Sequence, residues 1–132
     1  MQKIYYGKAV YNKKEINAVN YVLKNNSLNL IDGPHVKKLE KQVARIFGKK
    51  YGLMVNSGSS ALLLAMETLD FPEGSEIITP ALTFSTTVAP IYQLGLIASF
   101  IGVIKNTFIA DISQIEKCIT KKIYYIKLVQ LI

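Results

Sequence analysis

The sequence predicts an α/β fold in which a mostly parallel sheet is covered by helices and preceded by two further helices. Three observations carry that prediction. Short apolar runs and helical patterns alternate from residue 51 onward. Two segments with helical spacing of apolar residues come before them. Half of the 132 residues are apolar and only 19% are charged, so one modest core is within reach and intrinsic disorder is excluded.

In the first helical segment, Asn12 to Leu23, Ile16, Val19, Val22 and Leu23 recur at helical spacing and predict one buried stripe. Asn25, Asn26 and Ser27 break it. After Asp32-Gly33, Pro34 suits a first helical turn, and Val36, Leu39, Val43, Ile46 and Phe47 make the expected buried face of a second helix. Gly48 is a fitting stop. Three strand-then-helix pairs follow: Tyr51 to Val55 with Ser60 to Leu69, Glu76 to Thr79 with Thr86 to Leu94, and Ile97 to Val103 with Ile112 to Ile119. Parallel neighbours need a crossover connection, and these helices supply it. The apolar stretch Leu94 to Ile104 reads as a buried strand. Asp111, with Gln114 three residues on, predicts a capping box for the last helix. The final run, Ile123 to Ile132, is strand-like and then stops.

Charge and cysteine content narrow the function classes. The net charge of +7, from 16 Lys and Arg against 9 Asp and Glu, attracts anions. The lysines fall in dispersed pairs without interleaved aromatics, which argues against a nucleic-acid specialist. The single cysteine, Cys118, excludes an internal disulfide and a thiolate metal site, and points to a reducing cytoplasm. The amino terminus lacks the apolar core of a secretory signal, and no run approaches the ~20 residues that span a bilayer.

Two segments could carry chemistry. Val55-Asn56-Ser57-Gly58-Ser59-Ser60-Ala61 passes from an apolar run through a glycine turn into a helix, where free backbone N–H groups and the helix dipole favour a phosphate. Gly58 permits close approach, and the hydroxyls of Ser59 and Ser60 can donate. An ordinary serine-capped turn fits the same residues. The second segment is the hydroxyl-rich Thr79 to Pro90. Ligands of open α/β sheets lie beyond the carboxyl ends of strands, so both loops face one crevice in this reading, with Phe84 offering an aromatic face to a flat ligand. A core phenylalanine among threonine turns is the competing reading.

The ordered set Gly33-Pro34-His35-Val36 through Leu39-Glu40, Asn56 to Ala61, and Thr79 to Thr87 resembles the pyridoxal-phosphate-dependent sugar aminotransferase family (DegT/DnrJ/EryC1/StrS). The paired serines and Ala89 to Leu96 look closest to its CDP-4-keto-6-deoxyglucose 3-dehydrase branch, which serves lipopolysaccharide deoxysugar synthesis. The resemblance implies the amino-terminal part of a fold-type-I large domain. Its cofactor is pyridoxal phosphate (PLP) or pyridoxamine phosphate (PMP), with Gly58, Ser59, Ser60 and adjacent amides on the phosphate and Phe84 stacked on the ring. It further implies a nucleotide-linked keto sugar as substrate and an active site built across a dimer, with itself or with a full-length relative.

The chemistry-bearing residues of the family are not found in this sequence. The Schiff-base lysine of the aminotransferases, the histidine that replaces it in the dehydrases and the acidic partner of the pyridine nitrogen belong later in the family. So do the cysteines of any iron–sulfur cluster. His35 reads as a solvent-facing helix residue, Asp111 as a cap, and no residue is assigned a catalytic or metal-binding role. Gly102 stands where relatives usually carry an acidic residue, and Leu62 where they carry a polar one. The expected organisation is an incomplete large domain over 1–132: amino-terminal helices in 1–50, alternating strands and helices in 51–122, and a divergent tail in 123–132. A frameshift, an early stop or a fragment would each produce that ending. The chain is expected to be inactive alone.

Overall fold

The computed structural model describes Tyr5 and residues 7–126, and divides into two compact units, residues 1–54 and 55–132.

The first unit is helical. Helix α1 spans Lys13–Asn25 and opens on a capping box. Asn12 Oδ1 accepts from the Lys14 N–H at 2.8 Å, and Glu15 Oε2 accepts from the Asn12 N–H at 2.7 Å. A 3₁₀ turn, Ser27–Asn29, leads to α2, Pro34–Ile46, with Pro34 in its first turn as expected. Gly33 is required at the entry because a Cβ there would collide with the Asn29 carbonyl. Gly48 ends α2 at φ +61°, with the Lys49 N–H reaching back to the Ala44 carbonyl at 2.7 Å. This is the αL stop expected of it.

Two expectations fail in this unit. The predicted helix faces are not buried: Val19 is 58% exposed, Ile46 77% and Phe47 70%, and the buried residue of α2 is Ala44. Periodicity marks a face that can be covered but does not supply the cover. Residues 51–55 do not form the predicted strand. The Met54 N–H donates to Glu40 Oε1 at 2.8 Å, and Gly52 lies so close to α2 that a Cβ would stand 2.7 Å from the Glu40 carbonyl. The segment is thus tied to a helix, with no ladder partner among the described residues.

The second unit holds the sheet. Helix α3 spans Gly58–Glu67, β1 Glu76–Pro80, α4 Ser85–Gln93, β2 Ile97–Ile101, α5 Ile115–Cys118 and β3 Ile123–Ile126. The strand order is β2-β1-β3, and both pairings are parallel. The central strand alternates between two cores: Ile77 packs with Met66, Ile91 and Leu96 on one face, and Ile78 with Ile101 and Ala110 on the other. Gly95, at φ +68°, stops α4 as Gly48 stops α2, with the Leu96 N–H on the Ile91 carbonyl at 2.8 Å.

Here too the sequence reading needs correction. Among the described residues the strand within Leu94 to Ile104 is an edge strand, and its burial is mixed: Ile97 and Phe100 are 48% and 47% exposed while Ile101 is buried. The predicted helix 112–119 is a 3₁₀ turn followed by the single-turn α5. Its capping box does not form. Asp111 Oδ1 accepts from the Ser113 N–H, but the Gln114 side chain goes to Asp111 Oδ2 and to the Gly102 N–H, both at 2.9 Å, while the Asp111 N–H is spent on the Gly102 carbonyl. The tail is strand through Ile126, and the rest of the predicted run lies outside the described residues.

Candidate functional site

The turn from Asn56 to Ser60 is built by local hydrogen bonding. Ser57 caps α3, its Oγ accepting from the Ser60 N–H at 3.2 Å. The Ser60 hydroxyl donates to Asn56 Oδ1 at 2.7 Å and sits 3.2 Å from Ser57 Oγ. With its one hydrogen on Asn56, Ser60 props the turn from within. Gly58 and Ser59 form the exposed first turn of a ten-residue helix, and their N–H groups have no partner among the described residues. They are the orphan donors that a helix start leaves for an anion. A Cβ built on Gly58 meets nothing within 4 Å, so the fold itself does not require glycine there. Asn56 is the member of this turn to which sequence reasoning gave no role; an Asn four residues before a helix-entry serine was the available signal.

Phe84 is the residue immediately before α4, in extended conformation and 61% exposed. Its carbonyl accepts from the Thr87 N–H at 2.8 Å, and Thr83 Oγ1 donates to Thr87 Oγ1 at 3.2 Å. Helices α3 and α4 pack against one another. Gly58, Ser59 and Ser60 therefore share one helical turn, whereas Phe84 stands at the entry of a second helix. The ring is open to solvent and is not a core phenylalanine.

The residues that would act on a carbonyl compound are not assembled. Every lysine among the described residues is exposed, so none is desolvated into a nucleophile. His35 is exposed and lines an apolar groove with Val19, Val22 and Leu23 within the first unit. No group of His, Cys, Asp or Glu among the described residues could hold a metal. The carboxyl group of Asp111 is held below its ordinary range by hydrogen bonds from Ser113 and then Gln114, as befits a structural acceptor.

A three-stranded parallel sheet flanked by helices defines an α/β protein, and the solved structures it resembles have the PLP-dependent aminotransferase fold. The chain belongs to the DegT/DnrJ/EryC1/StrS aminotransferase family, whose profile matches residues 10–132. It is 37% identical over 120 residues to GDP-4-keto-6-deoxy-D-mannose 3-dehydratase of Yersinia pseudotuberculosis, covering 86% of this chain and 30% of that protein. It is 41% identical over 91 residues to the lipopolysaccharide biosynthesis protein RfbH of Salmonella typhimurium, covering 63% and 21%. The Escherichia coli GDP-4-keto-6-deoxy-D-mannose 3-dehydratase, solved with bound hydrated PLP, superposes with a TM-score of 0.80 at 36% identity, covering 90% and 32%. The chain thus spans about a third or less of the length of these relatives. Among its described residues no helix is long and apolar enough to cross a membrane.

Proposed function

We propose that this chain carries the phosphate-holding and ring-covering part of a PLP- or PMP-dependent enzyme that deoxygenates or aminates a nucleotide-linked keto sugar in deoxysugar and lipopolysaccharide synthesis. The observation that carries the proposal is the pair of unpartnered N–H groups at Gly58 and Ser59, beside a glycine whose open side the fold does not use. The residues fit the chemistry of the cofactor's phosphate: two amides and a serine hydroxyl lie in the exposed first turn of α3, at its positive end, where an anion is favoured by charge-assisted hydrogen bonding. Ser60 and Asn56 keep those donors oriented. Phe84 covers one face of the flat ring. The cofactor, when bound, supplies the electron sink for the sugar chemistry.

The described lysines are all exposed and offer no desolvated amine for a covalent link, which supports the reading that the chain by itself is inactive. PMP, which has no aldehyde, isolates phosphate binding. Its ³¹P signal is expected to shift on titration with the chain, and Gly58→Ala and Ser59→Ala are expected to weaken the affinity about tenfold while leaving the folded spectrum intact. An unchanged affinity in both variants overturns the phosphate assignment. Addition of PLP is expected to give no stoichiometric absorption band that survives dialysis, and such a band overturns the claim of inactivity.

A second reading, a noncatalytic partner for another copy or for a full-length relative, draws on the exposed apolar residues of α1, of α2 and of the cap that follows α2. Leu23, Ile46 and Phe47 are all more than half exposed. Co-purification with an intact relative separates this reading from the first.

A further inference from the structure

Thr79 is fully buried in the central strand, and its hydroxyl is the buried side-chain polar atom without a hydrogen-bond partner among the described residues. Its neighbour Pro80 has no N–H to offer. A hydroxyl stripped of water and left bare is costly, so this atom calls for a partner that the described residues do not provide.

The fold indicates where that partner sits. Thr79 lies two residues beyond Ile77 on the same face of β1. Ile77 shares one buried cluster with Ile91 of α4. Because α4 joins two adjacent parallel strands, it runs back against the direction of β1. One turn before Ile91 is Thr87, itself 1% exposed. The apolar layer of Ile77 and Ile91 is thus followed, toward the carboxyl end of β1, by a layer of two hydroxyls. Thr87 already accepts from the Thr83 hydroxyl at 3.2 Å, which leaves its own hydroxyl hydrogen available for an acceptor.

We propose that Thr79 and Thr87 hold one internal water molecule between β1 and α4. The water accepts from the Thr87 hydroxyl and exchanges a hydrogen bond with Thr79 Oγ1, which meets the need of a buried water for at least two polar partners. The consequence reaches the exposed aromatic: Thr87 also donates its N–H to the Phe84 carbonyl at 2.8 Å, so the water ties the core of the sheet to the turn that presents the Phe84 ring. Thr79 is a positioning residue in this scheme. The inference is independent of any cofactor and survives if the phosphate assignment fails.

Two measurements on the full chain test it. In the wild type, water–protein cross-relaxation by NMR is expected to show a long-lived water at the side chains of Thr79 and Thr87, lost in Thr79→Val. Denaturant unfolding of Thr79→Val, which keeps shape and removes the hydroxyl, is expected to show a folding equilibrium constant about fivefold lower, with Thr79→Ser retaining the water signal. Absence of the cross-peak in the wild type overturns the proposal. So does a rise in the folding constant of Thr79→Val, because removing a hydroxyl that truly lacks a partner is stabilising.

Discussion

The two units contrast in how their apolar residues are used. Residues 13–46 hold two well-bounded helices, yet Leu28 and Ile31 between them are each 96% exposed, and Gly33 and Ala44 are the buried ones among the described residues of the first unit. In the second unit, Ile77, Ile78, Ile91 and Ile101 are fully buried around one central strand. Caps and glycine stops set helix boundaries in both units alike, since they act within a few residues. Burial differs because it needs a strand with neighbours on both sides and helices over both faces, which among the described residues the second unit alone has.

Substitutions in the two cores should break the contrast if it is wrong. The largest expected effect is Ile77→Ala or Ile91→Ala, which removes a fully buried side chain and should cost about 2–5 kcal/mol in denaturant unfolding. Ile31→Ala should stay within about 0.5 kcal/mol by the same measurement. Equal losses at Ile31 and Ile77 would show that the first unit has a core after all. Next is Gly52→Ala, whose Cβ meets the Glu40 carbonyl at 2.7 Å; overpacking against backbone should cost about 1–3 kcal/mol and free the segment near Met54, detected as faster amide exchange there. Asn12→Ala deletes the cap of α1 and should cost about 1 kcal/mol, visible as lower helicity by circular dichroism.

The smallest effect sharpens the comparison by pH. The Asn12 N–H holds the Glu15 carboxyl below its ordinary value of 4.5. Hydrogen bonds from Ser113 and then Gln114 hold Asp111 below 3.8. A depressed folded pKa contributes stability that is complete above the unfolded value and disappears as pH falls through the folded one. Acidification through the lowered folded pKa values should therefore fray the start of α1 and loosen the Asp111 turn, each loss beginning as pH falls below the group's ordinary value. Glu15→Gln should flatten the loss at α1 and Asp111→Asn that at the Asp111 turn; an acid titration unchanged by either variant contradicts both.

Much of this was legible in the residues. Pro34 and Gly48 bracket α2 as expected, the crossover pattern gave β1, α4 and β2, and the ordered motifs from Gly33 to Thr87 resembled the family whose profile the chain matches. What escaped reading was non-local. Tyr51 to Val55 has a strand's composition, but its amide at Met54 is taken by Glu40 fourteen residues earlier. Gln114 has the spacing of a capping box, but its side chain goes to the Gly102 amide twelve residues away. In the candidate site, Gly58 and Ser59 were readable as orphan donors, while the role of Asn56 as acceptor for Ser60 emerged only with coordinates.

The sequence by itself determined the approximate bounds of α1, α2 and α4 and the parallel character of the sheet, because each depends on residues close together in the chain, and its ordered motifs determined the family. Tertiary structure decided which apolar faces are covered, which strand is central and which hydroxyl is sealed beneath α4. Those outcomes depend on burial and ladder hydrogen bonds between segments far apart in sequence, and a periodic pattern carries no information about the partner that completes it.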